Sequence, residues 1–197
     1  MLSRTGRIFT ALLLFFILFA APSGGQDIVL EKKPASERCC TKEVEIIKTL
    51  INRPEIYRSE IFVSVDKSPS GKRSINAFTY GCARREDGSY YSCEFSVTEK
   101  LLVSFSKDEF MAVLAREFGH RIDPNLNSGG NYSLESEYYA DDFSLKILGR
   151  LGIDRGVLLR TLKKLSRGIL VATPEEISGF RKRILRLERL LAAEKAK

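Results

Sequence analysis

Five residues in the middle of the chain carry the types and spacing that chemistry needs: Arg116, Glu117, His120, Glu137 and Asp141. Arg116-Glu117-Phe118-Gly119-His120 lies at the end of a stretch with helical patterning, so Arg116 and His120, four residues apart, share one helix face. With histidine at position 116 the run would read H-E-x-x-H. In that motif two imidazoles one turn apart hold a zinc ion, and the glutamate between them polarises the metal-bound water. Glu137-Tyr138-Tyr139-Ala140-Asp141 is a second acidic, helical stretch. Glu137 can supply a third ligand, and Asp141, one turn on, faces the same way.

Arginine at the first ligand position breaks that chemistry. It keeps its charge and offers no lone pair, so it cannot ligate. His120 and Glu137 then leave two protein ligands where a catalytic zinc uses three and a water. His120 is the sole histidine of the chain, so no other imidazole can replace the missing one. What a guanidinium can do is take over the charge of the metal and form a fork with a carboxylate. Two readings of His120 stay open, a hydrogen-bonded structural histidine and a residual metal ligand.

The elements that must position these groups are legible around them. Ser106-Lys107-Asp108-Glu109 is a capping box that starts the helix bearing Arg116 to His120. Residues 134–148 read as the partner helix, ended by Gly149. Upstream, 41–51 has helical spacing, 61–65 and 74–80 read as strands, and 93–98 as a third. Downstream, 154–165 is an amphipathic helix. Thr173-Pro174-Glu175-Glu176 opens a last, basic helix with Ile184, Leu187 and Leu191 inward and Arg181, Lys182, Arg183, Arg186 and Arg189 mostly outward.

A strand reading NAF (Asn76, Ala77, Phe78), a strand reading VTEKLL (97–102), a helix ending in R-E-F-G-H and then E-Y-Y-A-D follow in order. This order resembles the HtpX and CAAX-prenyl-protease family of gluzincin zinc metallopeptidases, across about 41–165. The resemblance implies an α+β gluzincin-like domain, with a small, mostly antiparallel sheet packed on the zinc-type helix pair and a helical C-terminal half. It also implies Glu117 as general base, His120 and Glu137 as metal ligands, and Asp141 as the carboxylate that orients a ligand imidazole. Asn76, Ala77 and Phe78 become the strand that binds extended peptide by strand addition. Arg116 departs from the family pattern.

The whole chain agrees with an exported globular protein. It has 197 residues, a length suited to one domain with a real core, and a net charge of +7. Arg4 and Arg7 precede an apolar run at 8–19 and a small-residue exit at 20–25, the pattern of a signal peptide over 1–23. Cleavage is favoured over retention as a membrane anchor, because the run is shorter than a bilayer span. Loss of Arg4 and Arg7 leaves +5. Residues 24–40 read as a linker and 41–197 as the domain, with its core at 41–165 and a basic helical tail at 173–197.

Secretion or a periplasmic location favours disulfides. Cys82 and Cys93 bracket the turn signal Asp87-Gly88 and are expected to pair across a hairpin. For Cys39 and Cys40, an adjacent-residue bridge, free thiols and external partners all remain open. The basic tail reads as a solvated face, with a membrane surface as its other candidate partner and no nucleic acid expected. The expected function is that of a pseudopeptidase, impaired in catalysis and retaining a peptide or protein ligand. The alternative is an active zinc metalloendopeptidase with an atypical metal site.

Overall fold

The computed structural model describes residues 38–51, 53, 56, 59–84, 90–123, 133–168 and 173–196, with backbone alone at 38, 78–84, 90, 91 and 195. The stretch read as a signal peptide, 1–23, and nearly all of the expected linker, 24–40, lie outside these residues. Among the described residues no helix is long and apolar enough to cross a membrane. The elements run β1 (Arg38–Cys39), α1 (Thr41–Ile51), β2 (Glu60–Asp66), β3 (Ala77–Arg84), β4 (Tyr90–Thr98) and α2 (Glu99–Ser104). Then come α3 (Lys107–Ile122), α4 (Leu134–Arg150), α5 (Gly156–Gly168) and α6 (Pro174–Lys195). The fold is α+β and mostly helical.

The four strands form one sheet in the order β1-β2-β4-β3. β3 and β4 pair antiparallel, but β2 and β4 pair parallel from Glu60↔Ser92 to Asp66↔Thr98. The mostly antiparallel sheet expected from sequence is therefore corrected: its central, longest-range pairing is parallel. A parallel neighbour needs a crossover rather than a hairpin. The turn at 68–73 and β3 supply it, taking the chain to the far edge before β4 returns between β3 and β2. β4 is buried at every position from Ser92 to Thr98, which suits a strand covered on both faces.

α3 is the spine of the domain. The Ser106–Glu109 capping box is present in full, with each partner's side chain bonded to the other's backbone N–H. Phe110, Val113, Leu114, Phe118 and Ile122 are buried. The Phe118 ring meets Phe95 of β4 edge-on, with centroids 5.1 Å apart, which joins helix to sheet. Burial of a side chain of this size is worth ~1.5–3 kcal/mol.

Against its other side, α4 approaches very closely. A Cβ on Gly119 would fall 2.8 Å from the Cα of Ala140, and Ser144 Oγ donates to the Ala112 carbonyl at 2.9 Å. Small residues at the crossing bring the two helix backbones together, and with them the side chains one turn on either side.

Several local expectations are corrected. The run VTEKLL is not one strand: Thr98 ends β4 and N-caps α2, its hydroxyl accepting from the Leu101 N–H. Gly149 does not end the fourth helix, which runs to Arg150 and closes at Gly152, whose φ is +69°. The fifth helix begins at Gly156, because the Asp154 carboxylate caps it by accepting from the Gly156 N–H at 2.9 Å. The end of the expected linker is structured too, since β1 pairs with β2 at Ser64 and Val63.

Candidate functional site

Arg116, Glu117 and His120 on α3 meet Glu137 and Asp141 on α4. The crossing at Gly119 and Ala140 brings them together, since all five lie within about one turn of it. Arg116 holds all three carboxylates. Its Nη1 lies 3.0 Å from Glu117 Oε1, its Nε lies 3.5 Å from Asp141 Oδ1, and its Nη2 contacts Glu137 Oε2. His120 Nε2 lies 3.5 Å from the other Glu137 oxygen, Oε1.

The cluster is buried. Glu117, His120 and Asp141 are 3%, 5% and 0% exposed, and only the Glu137 side chain reaches solvent appreciably, at 25%. Burial works against each charge, and the neighbours decide the outcome. For His120, burial followed by the positive charge of Arg116 and Arg183 pushes the imidazole down to about 3, against the pull of Glu137. It is therefore neutral near pH 7. Burial alone would raise the Glu137 carboxyl, but Arg116 and Arg183 hold it at about 2. Burial would lower Arg116, and Glu137, Glu117 and Asp141 together lift it above the ordinary arginine range.

A sixth member comes from α6, and the sequence reading placed it wrongly. Arg183, assigned there to an outward basic face, is buried at 3% exposure. Its Nε and Nη2 form a fork on Asp141, at 2.9 Å to Oδ2 and 2.6 Å to Oδ1, and its Nη1 lies 2.6 Å from Glu137 Oε2. Beside it, Arg186 pairs with Asp142 at 2.6 Å and covers the Tyr138 ring at 4.7 Å. A signal for Arg183 did exist: it falls within the stripe Phe180, Ile184 and Leu187 that docks α6 on the core.

The strand assigned to peptide binding is at the sheet edge, and α3 packs against it. Among the described residues no strand covers its outer side. Asn76 precedes β3 rather than lying in it. It is anchored there, its N–H donating to Thr98 Oγ1 at 3.0 Å and its side-chain oxygen accepting from the Ala77 N–H at 2.9 Å. The Phe78 side chain lies outside the described residues. Cys39 and Cys40 are bridged to each other. Cys93 is disulfide-bonded, and its Cα partner across the hairpin is Cys82, whose side chain also lies outside the described residues.

The residues present do not fit a catalytic zinc ion. Arg116 stands where the first imidazole would, and its guanidinium already engages Glu117, Glu137 and Asp141. Among the described residues no group of three or more His, Cys, Asp or Glu side chains is arranged to hold a metal. No protein-family model matches the chain, and no curated protein is similar to it. What the arrangement can do chemically follows from its own groups: a closed set of ion pairs around a neutral imidazole, beside an open strand edge.

Proposed function

We propose that this chain is an exported, zinc-peptidase-like protein of the HtpX and CAAX-prenyl-protease type that has exchanged its metal for guanidinium and binds peptide without cleaving it. The observation that carries this reading is Arg116 in contact with the three carboxylates that a metalloprotease would turn to its metal, its base and its imidazoles. A charge fixed on the chain joins α3 to α4 as an ion would, but it activates no water. The ligand side of the proposal rests on β3. Among the described residues no strand pairs with its outer edge, whose N–H and C=O groups are of the kind an extended peptide bonds, and the site helix runs alongside. Export, with the signal peptide removed, supplies an oxidising place in which the cysteine bridges persist.

The test is metal analysis of the purified mature protein, with peptide-library binding and cleavage assays on the same sample. The expected result is zinc well below one per chain, retained binding of extended peptides, and no chelator-sensitive cleavage. Stoichiometric zinc, lost to a chelator together with cleavage, would establish the active metalloendopeptidase instead. Arg116→His should raise zinc affinity, since Glu117, His120, Glu137 and Asp141 are already together.

A further inference from the structure

We infer that Arg183 is the positioning residue of this cleft, and that α6 is thereby part of the site rather than a solvated tail. The inference rests on the peptidase-type reading of 116–141 given above. Glu137 has two oxygens and a flexible side chain, a quarter of it exposed. Which oxygen faces His120 is set by what holds the other one. Arg183 Nη1, at 2.6 Å, shares Oε2 with Arg116 Nη2, which leaves Oε1 turned to His120 Nε2 at 3.5 Å. The same guanidinium grips both oxygens of Asp141 and so fixes the second carboxylate of α4 relative to the first. An arginine fork suits this task, because its planar donors lock orientation as well as charge.

Docking of α6 by itself does not call for this residue. Leu187, one turn on, is fully buried, and Phe180 and Ile184 pack on the core beside it. A buried guanidinium also gives little or no net stability over an apolar side chain of similar volume. Arg186 provides the contrast. It is more exposed and forms its ion pair with the half-open Asp142, so its role is to clasp the helix at the surface. Arg116 shares Glu137 Oε2 and Asp141 Oδ1 with Arg183. When position 116 is changed, Arg183 is the holder that remains.

The experiment uses the one histidine as a reporter. Ring ¹H and ¹⁵N resonances of His120 are recorded at pH 7 in the intact protein and in Arg183→Met, Arg183→Lys and Arg186→Met. The expected result is a displaced His120 ring signal in both Arg183 variants, with the α3 amide signals retained, and an unmoved ring signal in Arg186→Met. Lysine keeps the charge but not the fork, so it does not restore the signal; it also serves if the methionine variant fails to fold. An unmoved His120 signal in a folded Arg183 variant overturns the proposal.

A second arm titrates zinc chloride into Arg116→His with and without Arg183→Lys. Loss of the positioning residue should weaken zinc about 10–100-fold, as loss of such outer partners does. Equal or tighter binding in the double variant also overturns the proposal. Failure of Arg116→His to bind any zinc counts against the peptidase-type reading instead, and the ring signal then decides the role of Arg183 alone.

Discussion

Replacing Arg116 with methionine keeps most of the aliphatic stem and removes the charge, which isolates what the guanidinium contributes. Glu117 loses a 3.0 Å partner in a site where its side chain is 4% exposed, and Glu137 and Asp141 each lose one of two guanidiniums. Removing one partner of a buried ion pair costs ~3–5 kcal/mol. Arg183 still covers Glu137 and Asp141, and Glu137 can draw some water, so the expected cost here is ~2–4 kcal/mol at pH 7. That is a sizeable part of the ~5–15 kcal/mol that holds an ordinary domain together.

The pH dependence separates charge from packing. In the native protein the Glu137 carboxyl is held at about 2. Its contribution is therefore present above the ordinary glutamate value near ~4.3 and lost as pH falls through about 2. Without Arg116, the Glu137 carboxyl loses one of the two charges that hold it down, and its protonation at lower pH removes part of the uncompensated charge. The deficit of the variant should shrink between pH 7 and pH 4. Urea denaturation at both pH values measures it, and adding Glu137→Gln to Arg116→Met should recover part of the loss. A cost below ~1 kcal/mol at pH 7, or one equal at both pH values, would refute the argument that Arg116 neutralises this cluster.

Two further predictions follow from the same geometry. Because His120 sits at about 3 in the fold and near ~6.5 when unfolded, only the unfolded chain takes up its proton as pH falls below ~6.5. Stability is then full above that value and lost toward pH 3, by ~2 kcal/mol between pH 7.5 and 5, and His120→Gln should flatten this limb of the urea profile; a histidine NMR titration with its midpoint above 6 would count against it. Gly119→Ala should gain ~1 kcal/mol of helix propensity and still lose ~1–3 kcal/mol overall, since its Cβ would meet Ala140 Cα at 2.8 Å, a backbone atom that cannot rotate away. Thermal unfolding decides the sign, and an unchanged or higher midpoint refutes the close crossing as the source of the site.

Much of the site was legible because its information is local. The capping boxes at Ser106 and Thr173 are bonds between residues three apart, so the sequence states them outright. Helical spacing likewise put Arg116 and His120 on one face and Glu137 and Asp141 on another, and the order of the segments paired those faces. Where a local pattern was ambiguous, the reading failed. A short apolar run such as VTEKLL suits strand or helix equally, and the Thr98 hydroxyl decided for a helix start.

Other features depended on contacts between distant segments. The parallel pairing of β2 with β4, Glu60 with Ser92 through Asp66 with Thr98, is a choice of distant neighbour that no period or turn signal encodes. Arg183 reaches Asp141 from 42 positions away, and its place in the apolar stripe of its helix says that it faces inward but not which carboxylates it meets. By itself the sequence determined that an arginine stands at position 116, four residues before the sole histidine, and which carboxylates would gather around it. Only the tertiary structure decided that a second guanidinium would join them, because a charge is drawn to buried carboxylates by distance in space, and distance along the chain says nothing of that.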